Sequence, residues 1–374
     1  MDNASSISEE WLSIMPEAKR LFSTGRVNRA GETLIDPDAS PEARNEALEV
    51  FENWRACHRY PMNWFHQSLT ELAGSFSNVV QRPKRLEAVQ YKLQRKPSLK
   101  LGSMNDIAGV RAIIPTMDGF DRFVEKCKAA WADHELKRPD DYIANPRPNT
   151  GYRSLHLIYR FKGTDPSFDG RLVEVQIRTG LQHAWATAVE TVDLFQRQTL
   201  KFGTGDPDWQ RFFALMGSAI AKREKSAPVP ATPTKESELQ EELRHYAELL
   251  QVEQHMMAYG SLEQSTRRSS LGLDYVWTAD TAKSGYFVME LERDSKTIQV
   301  RGYHPNQVRV AYDDVAQVER SIQAGEKNAN VVLVAASDYE KLKDAYPNWI
   351  IDTKRFLKVV NTALGESETE ISFG

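Results

Sequence analysis

The sequence predicts an α+β fold: a mixed β-sheet flanked by helices, followed by a second, small α+β domain. Three observations carry this. Between residues 107 and 195, short apolar or alternating runs trade with longer amphipathic ones, as when strands and helices share layers. A run rich in Pro, Ala, Thr and Ser at 224–235 then breaks the pattern, which marks a loop or linker. Strand-like segments resume beyond residue 271. The expected division is an N-terminal helical segment (1–62), a sheet-bearing domain (63–222), a linker with a connecting helix (223–270) and a C-terminal domain (271–374).

Composition agrees. A chain of 374 residues exceeds one average domain, and 41% apolar residues allow each part a core. The net charge of −4 excludes a generic polycation, so any nucleic-acid contact has to come from a local basic patch. Cys57 and Cys127 are the only two cysteines and form no CxxC pair. That argues against a disulfide framework and a Cys-ligated zinc. No charged-then-apolar leader opens the chain, and no apolar run reaches ~18 residues. The expectation is a soluble protein of the reducing cytoplasm, without membrane contact.

A first helix is expected over Glu9–Phe22. Ser40 before Pro41 is a helix start, with an N-cap and a first-turn proline. That helix runs to about Cys57 and is ended by Tyr60-Pro61; another covers Asn63–Phe76. Ile107–Ile114, closed by Pro115, reads as a buried strand, and Gly119–Asp133 as a helix. Ser154–Phe161 and Arg171–Arg178 alternate with period two. Leu155, Leu157 and Tyr159 oppose His156 and Arg160; Val173, Val175 and Ile177 oppose Glu174, Gln176 and Arg178. Leu181–Phe195 is a helix with Leu181, Trp185, Val189 and Val192 on one stripe. After the linker comes a polar helix, Glu236–Glu253, reaching toward Tyr259. Strands follow at Gly285–Leu291, Thr297–Tyr303 and Val331–Ala335. A capping box at Ser337 to Glu340 opens a helix that stops before Pro347. A last helix, Thr353–Leu364, ends at Gly365.

The residues that bear chemistry cluster. Asp106, just before a buried strand, and Glu174, on a polar strand face, could together hold Mg²⁺, which takes few carboxylates and completes its shell with water and phosphate oxygens. Arg82, Lys84, Arg85, Lys92, Arg95, Lys96 and Lys100 form a basic run opposed only by Glu87, suited to phosphate or RNA. The loop from Asp141 to His156 contains Pro146, Pro148 and Gly151 and delivers Tyr152 and His156. A Tyr after a Gly in a polar loop is placed to stack on a base.

Together these pieces resemble the RelA/SpoT (p)ppGpp synthetase family. The matching motifs are Arg82-Pro83-Lys84, Asp106-Ile107-Ala108-Gly109-Val110-Arg111, Asp141-Tyr142-Ile143 with Gly151-Tyr152-Arg153-Ser154-Leu155-His156, Glu174-Val175-Gln176-Ile177-Arg178-Thr179, and Gln182-His183-Ala184-Trp185-Ala186. They stand in family order. The resemblance implies a nucleotidyltransferase-like domain in which Asp106 and Glu174 bind Mg²⁺ and Glu174 helps deprotonate the attacking hydroxyl. Arg82 and Arg111 would sandwich the ATP adenine, and Lys84 and Lys92 would contact its phosphates. Tyr152, His156 and Arg178 would form the acceptor pocket. Two positions depart from the family: Ala88 replaces a Ser, and Thr150 separates Asn149 from Gly151.

The layout is most similar to toxic small alarmone synthetases of the fused toxin–antitoxin CapRel type. It implies a toxin domain and an antitoxin domain that resembles a zinc finger without its metal. Such members transfer pyrophosphate from ATP to the 3′ end of tRNA, which stops translation, and are triggered by phage proteins. Tyr346 and Trp349 stand where the group has an inhibitory Tyr-x-x-Tyr motif. They are expected to dock on Arg82 and Arg111 by cation–π contact. The stretch Asn330–Ala335 is either a buried central strand or an exposed edge that accepts a phage strand. The alternatives are a (p)ppGpp or (p)ppApp synthetase acting on free nucleotides and, in another class, an inactive RNA-binding regulatory module.

Overall fold

The computed structural model describes residues 19–74, 78–148, 150–196, 198–260, 274–277, 285–292, 297–336, 342 and 354–366. One mixed sheet organises them. Its strands are β1 (Asn78–Pro83), β2 (Ala108–Ile114), β3 (Glu135–Asp141), β4 (Leu155–Arg160), β5 (Leu172–Thr179), β6 (Asp274–Trp277), β7 (Tyr286–Glu292), β8 (Thr297–Tyr303) and β9 (Ala329–Ala335), in the order β3-β4-β5-β2-β1-β9-β7-β8-β6. The β2–β5 and β6–β8 pairs are parallel and the rest antiparallel.

Helices cover both faces. On one lie α3 (Arg59–Ala73), α5 (Phe120–Ala130) and α10 (Val308–Gln323), packed on Val110, Leu157, Val175 and Val331. On the other lie α6 (Gly180–Gln196), α7 (Pro207–Arg223), α8 (Glu236–Leu249), α9 (Val252–Gly260) and α11 (Lys354–Ala363), packed on Val80, Ile113, Phe287 and Val332. A satellite core joins α1 (Thr24–Thr33), α2 (Pro41–Ala56) and α4 (Leu86–Arg95). Among the described residues, no helix is long and apolar enough to cross a membrane.

Local signals behave as chemistry requires. Ser40 Oγ accepts from the Ala43 N–H at 3.2 Å, and Asp206 caps α7 by accepting from Asp208 and Trp209 ahead of Pro207. Pro61 does not stop a helix. It sits in the first turn of α3, where the missing N–H has no helical partner to lose. The polar helix expected over Glu236–Glu253 divides at Gln251, whose φ is 47°. Of the helix expected over Glu9–Phe22, residues 9–18 lie outside the described residues and 19–22 are not helical, the first described helix beginning at Thr24.

The C-terminal strands continue the same sheet. β9 lies between β1 and β7, and its Ala335 pairs with Gln81. Val331, Val332, Leu333 and Val334 are 3%, 0%, 2% and 0% exposed. The exposed-edge alternative for this strand is therefore wrong, because Val331–Val334 are buried, β7 pairs along one edge, β1 meets the other at Ala335, and both faces carry helices. The loop 224–235 is also held down. Val229 is buried, and Arg153 donates to Ala227 O at 2.7 Å and Ser226 Oγ at 2.7 Å.

Candidate active site

Strand register brings most of the singled-out residues to one face. Gly109 pairs with Glu174, Arg111 with Gln176, His156 with Gln176, and Arg82 with Gly109. Paired residues in adjacent strands point the same way. Arg82, Arg111, His156, Glu174, Gln176 and Arg178 thus share the face that α6 covers.

Glu174 is the centre of a polar chain. Its Oε1 lies 3.3 Å from His156 Nδ1, and its Oε2 accepts from Gln176 Nε2 at 2.6 Å. Arg111 Nε donates to Gln176 Oε1 at 3.4 Å. His156 Nε2 and the Tyr152 hydroxyl share a hydrogen bond of 2.8 Å. Burial alone would depress His156, but the Tyr152 oxygen and the Glu174 carboxylate overcome it and raise the imidazole to about 9. Burial likewise opposes ionisation of Glu174, and the His156 hydrogen bond and charge reverse this and lower its pKa. The site thus holds an ionised Glu174 against an imidazolium.

Asp106 forms a second cluster. Lys84 Nζ lies 2.8 Å from its Oδ2 and Lys92 Nζ 2.8 Å from its Oδ1. The carboxyl is pulled down to about 2 against the effect of burial, by Lys84 first and then Lys92. Lys84 follows β1, and Lys92 comes from α4. The negative charge of Asp106 is felt at Glu174, so the two clusters belong to one electrostatic site.

Tyr142 extends this aromatic group, its ring in edge contact with Tyr152 at 5.6 Å and with His156 at 5.2 Å. Arg147 lies over the Tyr142 ring, 4.4 Å from its centre. Gly151 has φ +69°, and a Cβ there would run into the Phe213 carbonyl oxygen of α7. This close approach fixes the backbone that carries Tyr152.

Sequence reasoning missed three members. Gln176, read only as a strand residue, links Glu174 to Arg111. Glu190 lies among Lys201, Arg82, Arg111 and Arg178, which lower its pKa although burial opposes them. It stands seven residues after His183 on the same helix, a spacing that returns to the same face and could have flagged it. Lys201 has no comparable signal, since only the chain's return after α6 brings it there. Arg178 bonds to His183 Nδ1. Tyr346 and Trp349 lie outside the described residues.

Residues 81–194 match the sequence profile of a family described as "Region found in RelA / SpoT proteins". That part of the chain is similar to the RelA/SpoT family region. Over 108 residues it is 34% identical to the GTP pyrophosphokinase of Haemophilus influenzae, covering 27% of this chain and 12% of that protein. It is 36% identical over 115 residues to an uncharacterized protein of Mycobacterium tuberculosis, covering 30% of this chain and 38% of the other. The chain thus spans a small part of the curated relatives it matches. A crystal structure of Bacillus subtilis small alarmone synthetase 1 bound to its product pppGpp aligns with TM-score 0.41 and 23% identity, over 47% of this chain and 94% of that one.

Among the described residues no group of three or more His, Cys, Asp or Glu is placed to hold a metal. Asp106 and Glu174 are carboxylates of the kind Mg²⁺ takes beside phosphate and water oxygens. Their side chains are 17% and 15% exposed, and their oxygens meet Lys84 and Lys92 at Asp106 and His156 and Gln176 at Glu174.

Proposed function

We propose that this chain is an ATP-dependent pyrophosphokinase that acts on a ribose 3′-hydroxyl. The observation that carries the reading is Glu174, kept ionised by His156 and Gln176 next to Tyr152. It lies on the sheet face that also bears Arg82 and Arg111. An ionised carboxylate beside a base platform can accept the proton of an acceptor hydroxyl. The oxygen then attacks the β-phosphorus of ATP, the bond from that phosphorus to the α–β bridging oxygen breaks, and AMP leaves. Lys84 and Lys92 bind the phosphates, and Arg82 and Arg111 hold the adenine. Mg²⁺ would be held by Asp106 and Glu174, and when bound neutralises charge on the phosphate oxygens. Positioning and charge carry such a transfer, with little covalent work for the protein.

The acceptor we propose is the tRNA 3′ end. Beyond Tyr152 and His156 lie Lys137 and Arg138 on β3, Arg160 on β4 and Lys162 just after it, with side chains 40%, 60%, 36% and 51% exposed, each ion-paired with Glu135 or Asp140. Because this strip is of mixed sign, the choice of tRNA rests on the resemblance to the toxic synthetases rather than on a basic surface. The names of the curated relatives favour the second reading, a guanosine nucleotide as acceptor. Incubation with γ-labelled ATP and either bulk tRNA or GDP and GTP decides. Labelled tRNA supports the first reading and labelled guanosine tetraphosphate or pentaphosphate the second. Label on neither leaves a non-catalytic RNA-binding module.

We further propose that the C-terminal part restrains the enzyme and that a phage protein lifts the restraint. β9 ends at Ala335 opposite Gln81, one residue from Arg82, which supports a restraint acting on the donor arginines through Tyr346 and Trp349. Replacing both aromatics by Ala should make the chain toxic without a trigger. Normal growth of cells holding the folded double variant would remove this part of the proposal.

A further inference from the structure

The donor side of the site is built on a turn that the C-terminal part holds. β1 ends at Pro83, Lys84 reaches Asp106, and α4 begins at Leu86 and brings Lys92 to the same carboxylate. The first N–H of α4, on Leu86, has no helical acceptor. It donates to Oε1 of Glu319, on α10, at 2.9 Å. Arg55 on α2 donates to both oxygens of Glu319, at 3.0 Å and 2.7 Å. The Arg55 and Glu319 side chains are only 4% and 7% exposed. One turn further on, Gln90 and Gln323 exchange hydrogen bonds at 3.1 Å and 3.3 Å.

This arrangement is more specific than packing requires. A carboxylate at a helix N-terminus meets both the unpaired N–H groups and the positive end of the helix dipole. Burying it with an arginine is costly unless the geometry is good and the remaining hydrogen bonds are made, and here they are. The turn that Glu319 fixes stands between the two lysines that converge on Asp106. A shift of α4 would carry Lys92 away from Lys84 and Asp106 together. Residue 319 lies 125 positions beyond the end of the RelA/SpoT match at residue 194, so no local motif announces the contact.

We infer that Glu319 is a positioning residue for the ATP-phosphate site, acting through the N-terminus of α4. The inference rests on Lys84 and Lys92 being phosphate ligands. The C-terminal strands and α10 are then part of the synthetase itself. Any release of restraint has to be local, with β9 and α10 left in place.

The test uses the full chain. R55M/E319L removes the ion pair without leaving a lone buried charge, and should keep the denaturation midpoint close to wild type. It should bind a non-hydrolysable ATP analogue about tenfold more weakly, a change equivalent to about 1.4 kcal/mol. Turnover at saturating ATP should be largely retained, so that KM for ATP moves more than kcat. E319Q keeps an oxygen for Leu86 but loses the charge. It should show faster amide exchange across residues 86–95 and an intermediate analogue affinity, and it decides the matter if the double variant does not fold. Faster exchange with analogue affinity within twofold of wild type would overturn the inference and leave Glu319 a plain helix cap. Wild-type protein that fails to bind the analogue would instead sink the donor-site reading, and this inference with it.

Discussion

Gly217→Ala is a change for which chain-local and tertiary reasoning give opposite signs. Gly217 lies inside α7, where Ala is favoured over Gly by about 1 kcal/mol. Considered as a helix alone, the variant should be more stable. In the folded chain the new Cβ would lie 2.7 Å from the carbonyl oxygen of Gly151, 2.8 Å from its Cα and 3.1 Å from its carbonyl carbon. All three are backbone atoms, so no side chain can turn aside. Reaching ordinary contact requires the loop and helix to part by roughly 0.7 Å. Overpacking of this kind costs ~1–3 kcal/mol, and the rigid partners put it toward the upper end. The net expectation is a loss of about 1–2 kcal/mol, read as a lower denaturant midpoint at unchanged slope. Because Tyr152 follows Gly151, the acceptor platform moves as well, and kcat/KM for the acceptor should fall at least about tenfold. KM for ATP should change little, since α4 and the Lys84–Asp106–Lys92 cluster lie on the other side of the site. A variant as stable as wild type, with unchanged acceptor kinetics, would refute the close approach of α7 to the loop as the reason for glycine at both positions.

The remaining predictions concern the site. Glu174→Ala and Asp106→Ala should each abolish transfer while the circular dichroism spectrum stays native; full activity in Glu174→Ala ends the assignment. Tyr152→Ala should lower acceptor kcat/KM by the equivalent of roughly 1–3 kcal/mol of lost stacking and leave ATP-analogue affinity near wild type. With tRNA as acceptor, activity should also fall steeply with added salt. His156 is raised from its ordinary value to about 9, so the stability it gains from Glu174 and Tyr152 is fully present below pH ~6.5 and lost as pH rises through about 9. The midpoint difference between wild type and His156→Asn should therefore be largest near pH 6 and shrink toward pH 9. A difference independent of pH would remove the imidazolium from the site.

How much was legible follows from the range of each interaction. Alternation of period two in Ser154–Phe161 and Arg171–Arg178 told which side chains face the core, because the pleat alone determines this. The same alternation put His156 and Glu174 on polar faces, and ordered motifs tied Arg82, Asp106, Arg111 and Tyr152 to one chemistry. The helix start at Ser40 depends on a side chain three residues from its target, which is also local, whereas the start of α1 at Ser23 was not read. β1 and β3 escaped notice. Arg82 and Pro83 obscure β1 within a basic run, and β3, Glu135–Asp141, has six polar or proline residues among seven and an exposed edge. Its strand state comes from pairing with β4 rather than from its own composition.

The sequence by itself determined which residue types are available to the proposed chemistry, since their order carries the carboxylates, cations and aromatic ring that the proposed phosphoryl transfer uses. Only the tertiary structure decided how the two halves relate. The pairing of Ala335 with Gln81 and the bond from Leu86 to Glu319 join positions 254 and 233 residues apart. Such contacts have no periodicity to read, because the intervening chain can close the loop in many ways at nearly equal entropic cost. For the same reason only the structure shows that the segment read as a loop or linker is a loop fastened through Arg153 and Val229, and that, of the two readings of Asn330–Ala335, the buried central strand is the one that holds.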